Sequence, residues 1–132
     1  MYKRQDWDRA LPGEVLMLDG TQSLFVAEAP DAELAGRVAA GDVHPAGLLW
    51  GAGESTARET AAALEQGLGA AHAGLCAALA ESGVRTARRA LRVRPVAAEL
   101  RHEGETAMLA FTLPRGAFAT AVLRELLCHP TL

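Results

Sequence analysis

The alternation of apolar and polar residues divides the chain into short elements with clear punctuation. Glu14-Val15-Leu16-Met17-Leu18 and Ser23-Leu24-Phe25-Val26-Ala27 are apolar runs separated by Asp19-Gly20-Thr21-Gln22, which predicts a β-hairpin. Asp19-Gly20 reads as turn chemistry rather than as part of an acidic site. Pro30-Asp31 opens a helix with Asp31 at or near the N-cap, Leu34 and Val38 on one buried face and an end near Gly41. Residues 41–54 read as a loop. Residues 56–82 read as helical, with Leu64, Leu68, Ala71, Leu75 and Leu79 tracing one apolar stripe. Gly67, Gly69 and Gly74 each cost about 1 kcal/mol relative to Ala, which predicts a break around Gly67 to Gly69 and allows two helices.

The C-terminal part returns to a period of two. Pro95 to His102 and Thr106 to Leu113 form a strand pair joined by Glu103-Gly104-Glu105, with Leu109, Phe111 and Leu113 on one face and Met108, Ala110 and Thr112 on the other. The second strand runs into Pro114-Arg115-Gly116, and a helix starts at once. Ala119, Val122, Leu123 and Leu126 form its core-facing stripe. At 100° per residue, Phe118 falls roughly 90° from the centre of that stripe. Unpaired helical N–H groups and an aromatic ring therefore meet at a strand's end, a good place to hold a ligand. Position alone leaves two readings of Phe118 open: a ring at the edge of the core, or one offered to a flat ligand such as a base, where stacking is worth about 1–3 kcal/mol. The mixture of strand pairs and helices is an α+β pattern.

Composition narrows the function classes. The chain has 132 residues, half of them hydrophobic, enough for one modest domain or two partial ones. No apolar run approaches the ~18 residues of a membrane span and no signal-peptide pattern opens the chain, so a cytoplasmic location is expected. Cys76 and Cys128 lie far apart in predicted helices and read as small buried hydrophobes. His44, His72, His102 and His129 form no ligand set with them, so no metal site is expected. Gly51-Ala52-Gly53 lacks the second half of any phosphate-loop pattern. His44 is given no partner by the sequence and is not read as a catalytic base.

Charge is distributed unevenly. Residues 1–84 carry a net −7 and residues 85–132 a net +4. Arg85, Arg88, Arg89, Arg92 and Arg94 fall within ten residues. Two readings stand: a solvated helix face, or a stripe that contacts phosphates and positions RNA without reading its sequence. Met1-Tyr2-Lys3-Arg4-Gln5 matches the translation of GTG-TAT-AAG-AGA-CAG, the end of a transposase adapter used in short-read sequencing libraries. Residues 1–5 are accordingly read as an artefact, with a genuine basic start as the alternative.

One run carries a resemblance. Leu113, Pro114, Gly116, Phe118, Ala119, Thr120, Leu123, Arg124, Glu125 and Leu126 match the Leu-Pro-x-Gly-x-Phe-Ala-Thr-x-x-Leu/Val-Arg-Glu-Leu signature near the C-terminus of the tRNA pseudouridine synthase D (TruD) family. The segment from Gly41 resembles that family's Gly-Asp-x-His-Pro-x-Gly-Pro-Leu-x-Gly loop, with Leu48 where Pro is usual. The resemblance implies that residues 6–93 are the later part of the family's insertion domain, a hairpin plus helices, and residues 94–132 the last strands and helix of the catalytic domain. It implies tRNA as partner, isomerisation of uridine 13 to pseudouridine, no metal or cofactor, and Phe118 against the target uracil. Arg85, Arg88, Arg89, Arg92, Arg94 and Arg115 become RNA-contact candidates.

The family's nucleophilic Asp sits in a Gly-x-Lys-Asp-x-x-Ala motif that this sequence lacks. The catalytic role is transferred to none of Asp6, Asp8, Asp19, Asp31 and Asp42, and the chain by itself is expected to be inactive. The competing expectation is a non-catalytic RNA-binding or interaction module. A small-molecule-binding α/β domain has no convergent polar cluster to support it.

Overall fold

The computed structural model describes residues 7–127. Met1 to Gln5, Cys128 and His129 lie outside them. The chain divides into two units, residues 1–92 and 93–132. Among the described residues, four helices and two antiparallel sheets make it α+β.

The first unit is a four-stranded antiparallel sheet in the order β2-β1-β3-β4, built from β1 (Glu14–Leu18), β2 (Leu24–Ala27), β3 (Val43–Leu49) and β4 (Ala87–Ala90). The predicted hairpin is β1–β2, with Leu16 opposite Phe25. Helix α1 (Ala32–Ala40) starts where Asp31 accepts the Leu34 N–H at 2.8 Å and ends on Gly41 in the left-handed region, φ 85°. Val38 of α1 closes a core with Leu16, Ala27 and Val43, and Leu34, Phe25 and Leu18 pack around it. Strand alternation puts Val15, Met17 and Ala46, also buried, on the opposite face of the sheet. There α2 (Glu59–Ala71) brings Glu65 to Arg88.

Three expectations are corrected here. Much of the segment read as a loop, residues 41–54, is β3, which lies between β1 and β4 with its first four residues buried. Pro45 and Gly47 hide it from a propensity reading. Pro45 is tolerated because its carbonyl still accepts the Leu91 N–H at 2.8 Å, so its missing N–H removes only a rung beyond the end of β4. The helical stretch does form two helices, α2 and α3 (Ala73–Glu81), but the break falls at His72 and not at Gly67 to Gly69. Gly69 serves packing instead: a methyl there would stand 2.8 Å from the Trp50 ring. The apolar stripe is not a core face, since Leu64 and Leu75 are exposed and α3 buries no residue. Cys76 in α3 is a half-buried free thiol.

The second unit holds β5 (Val96–Glu103) and β6 (Thr106–Thr112), an antiparallel pair turning at Gly104, φ 62°. A register shift between Val96 and Glu99 puts Ala97 at φ 50°. Helix α4 (Ala119–Leu126) follows.

Candidate functional site

Phe118 stands at the junction that the sequence singles out. After β6, the Ala117 N–H closes a turn onto the Pro114 carbonyl at 3.1 Å, and Gly116 adopts φ 87°, a conformation costly for any residue with a Cβ. That turn reverses the chain within a few residues and delivers Phe118 as the N-cap of α4, in extended geometry, φ −112° and ψ 124°. Most N-caps offer a side-chain oxygen to the first helical N–H groups, and phenylalanine has none. The residue is 62% exposed. Val122 and Leu123 are half-buried, whereas Ala119 and Leu126 of the predicted stripe are exposed. Phe118 thus presents an aromatic face at the beginning of a helix, and Arg115, also exposed, lies three residues earlier in the same turn.

The arginine run is where sequence and structure part. It is not a helix face: β4 carries Arg88 and Arg89, and a strand sends successive side chains to opposite sides. Arg88 turns to the α2 side, where its side chain is 6% exposed against 13% for Glu65. It donates to both Glu65 carboxylate oxygens, to the Ala46 carbonyl at 3.1 Å and to Ser55 Oγ. Arg92 follows the same parity and donates to His44 Nδ1 at 3.0 Å and to the Val43 carbonyl at 3.0 Å. Arg85 and Arg89, of odd parity, are exposed, as is Arg94 in the second unit. Within β4 a period of two sends Arg88 inward and Arg89 outward, which the helical reading could not do.

The structure also supplies a partner for His44, which the sequence left alone. Its Nε2 lies 2.7 Å from Asp19 Oδ1. The same hairpin turn that accounts for Asp19-Gly20 brings that carboxylate beside β3. Farther along β3, the segment after Trp50 is tied down by Thr86, whose Oγ1 lies 3.0 Å from the carbonyls of Gly51 and Gly53, and by a bridge between Ala52 and Arg85. Gly51 and Gly53 thus serve the attachment of this segment to the start of β4. Among the described residues every buried side-chain nitrogen and oxygen has a hydrogen-bond partner, and no group of three or more His, Cys, Asp or Glu side chains is placed to hold a metal ion. Among the same residues, no helix is long and apolar enough to cross a membrane.

Comparison with known proteins agrees with the signature around Phe118. The family model for tRNA pseudouridine synthase D (TruD) matches residues 1–126. Curated relatives of that name include those of Chromohalobacter salexigens, 47% identical over 96% of this chain and 36% of the relative, and Xanthomonas axonopodis pv. citri, 47% identical over 91% and 33%. The relative from Nitrosococcus oceani is 44% identical over 91% of this chain and 34% of its own length. The chain spans about a third of the length of the curated relatives it matches. A family match across nearly the whole sequence, at that identity, settles the assignment: the chain belongs to the tRNA pseudouridine synthase D (TruD) family.

Proposed function

We propose that this chain forms the C-terminal part of a cytoplasmic enzyme that isomerises a uridine, uridine 13 of tRNA, to pseudouridine. In this reading residues 6–93 are the later part of the insertion domain and residues 94–132 the last strands and helix of the catalytic domain. The observation that carries it is Phe118, an exposed ring at the N-cap of α4 within the signature run. The reaction breaks the bond from N1 of the base to the ribose, turns the base and rejoins it through C5, with no metal or cofactor. Such chemistry requires the uridine to leave the helical stack, and an exposed aromatic ring offers the extruded base a new surface to stack on. The nucleophilic carboxylate is not among the aspartates of this chain, so the chain alone should not turn over.

Arg85, Arg89, Arg94 and Arg115 are the phosphate contacts in this proposal. Arg88 and Arg92 direct their donors inside the first unit. Reversing charge at Arg85 and Arg89 should lower tRNA affinity and flatten its salt dependence, by about one to two units of slope for two phosphates lost. The whole reading is tested by joining residues 7–132 to the upstream two-thirds of the Chromohalobacter salexigens relative. The chimera should form pseudouridine in a tRNA transcript, and the chain alone none. A chimera that melts like the parent enzyme, binds tRNA and yields no pseudouridine would leave a non-catalytic RNA-binding module as the better account.

A further inference from the structure

Among the polar groups of the first unit that this reading leaves unused, Asp19 and Arg92 meet at His44. The residue is 6% exposed, and both ring nitrogens are engaged. Nε2 lies 2.7 Å from Asp19 Oδ1, in the turn after β1, and Nδ1 receives the Arg92 Nε–H at 3.0 Å. A guanidinium nitrogen only donates, so Nδ1 presents its lone pair and the ring proton sits on Nε2, where the carboxylate accepts it. Arg92 Nη2 donates in addition to the Val43 carbonyl at 3.0 Å and to the Val38 carbonyl in the last turn of α1.

The location gives this arrangement a purpose. Arg92 is the last residue of the first unit, two residues after β4 ends and four before β5 begins. The Leu91 N–H to Pro45 carbonyl bond continues the sheet pairing just past β4, and the Arg92 side chain then carries the attachment one residue farther. A planar fork of donors suits a site that must serve an imidazole and two carbonyls together, which a lysine ammonium on a flexible stem does not do.

We propose that Asp19, His44 and Arg92 form a hydrogen-bonded latch that fixes where the chain leaves the first unit. Asp19 orients the imidazole, the imidazole holds the guanidinium, and the guanidinium holds the departing backbone against β3 and α1.

Limited digestion of the full chain by trypsin reads the latch directly. Trypsin must draw an arginine side chain into its own pocket, so the Arg92–Val93 bond is cut only when Arg92 is out of the latch, and the Arg94–Pro95 bond is not a trypsin site. With the rate of this cut followed by mass spectrometry, His44→Ala should raise it about tenfold, the factor for losing one hydrogen bond to a charged group. His44→Asn, whose amide oxygen takes the place of Nδ1, should return it close to wild type. Wild-type chain cut after Arg92 as fast as His44→Ala overturns the latch. Nitrogen NMR of the wild-type chain is a second test that needs no variant: an Nδ1–H tautomer at His44 also overturns the latch.

Discussion

The two sheets of this molecule obey the same strand rules and end in different states. In the first, Val15, Leu16 and Met17 of β1 are all buried, because α1 lies on one face and α2 reaches the other. In the second, β5 and β6 are longer than β1, yet no residue from 93 to 127 is fully buried, and Val96, Leu100 and Met108 are all more than half exposed. Alternation decides that a segment is a strand; a second layer decides whether the strand becomes core. A two-stranded pair without such a layer is marginal in water. Hydrophobic residues on β5 and β6 therefore contribute little to the stability of this chain, and changes in the two units should differ sharply in cost.

The largest effect is expected where charge is buried. Arg88→Ala strands Glu65 under α2 and should cost about 3–5 kcal/mol of first-unit stability, measured by urea unfolding. Replacing both partners, Arg88→Met with Glu65→Leu, should recover most of that loss. A double variant as unstable as Arg88→Ala would show that the pair holds the sheet by more than mutual neutralisation, through the Ala46 carbonyl and Ser55. Next in size, Leu16→Ala should cost about 2–5 kcal/mol by opening the core that Leu16 shares with Val38 and Val43. The matching change in the second unit, Leu100→Ala, removes a side chain that is 62% exposed and should stay within about 0.5 kcal/mol. Equal costs for the two leucines would erase the contrast between the units. Between the two leucines in size, Asp31→Ala should cost about 1 kcal/mol, the usual worth of an N-cap, by freeing the Leu34 N–H.

How far the sequence reveals all this follows the range of each signal. The β1–β2 hairpin and α1 are legible because their determinants are local: Asp19-Gly20 between two apolar runs, Asp31 at one helix end and Gly41 at the other. Strand β3 is not, since Pro45 and Gly47 speak against a strand and only its neighbours, Leu16 across from Pro45 and Arg89 across from Gly47, supply the contrary signal. The helix break is misplaced for a related reason: Gly69 answers to Trp50, nineteen residues earlier, and not to its own helix. The site divides in the same way. Phe118 is visible as a residue at a strand–turn–helix junction because the junction is written in consecutive residues. The inward turn of Arg88 and Arg92 depends on Glu65 and His44, whose proximity is created by the sheet. Composition reports five arginines; only the register of β4 sends Arg88 and Arg89 to opposite sides.

The smallest stability effect belongs to the residue with the largest proposed functional one. Phe118 is 62% exposed, so Phe118→Ala removes little buried surface and should shift the unfolding of this chain by no more than about 0.5 kcal/mol. In the full-length enzyme the same change should lower turnover of tRNA by about 5- to 150-fold, the factor that corresponds to one lost stacking interaction of about 1–3 kcal/mol. Phe118→Tyr, which keeps a ring of the same width, should retain most of the rate, and Phe118→Leu, apolar but not flat, should not. That order separates stacking from simple hydrophobic cover: if leucine serves as well as tyrosine, the ring is filling space at the edge of a core that forms around α4. A small cost in the folded chain together with a large cost in the reaction is the pair of results that the stacking role proposed for Phe118 requires, and the exposed second unit, in contrast to the first, makes that pair possible.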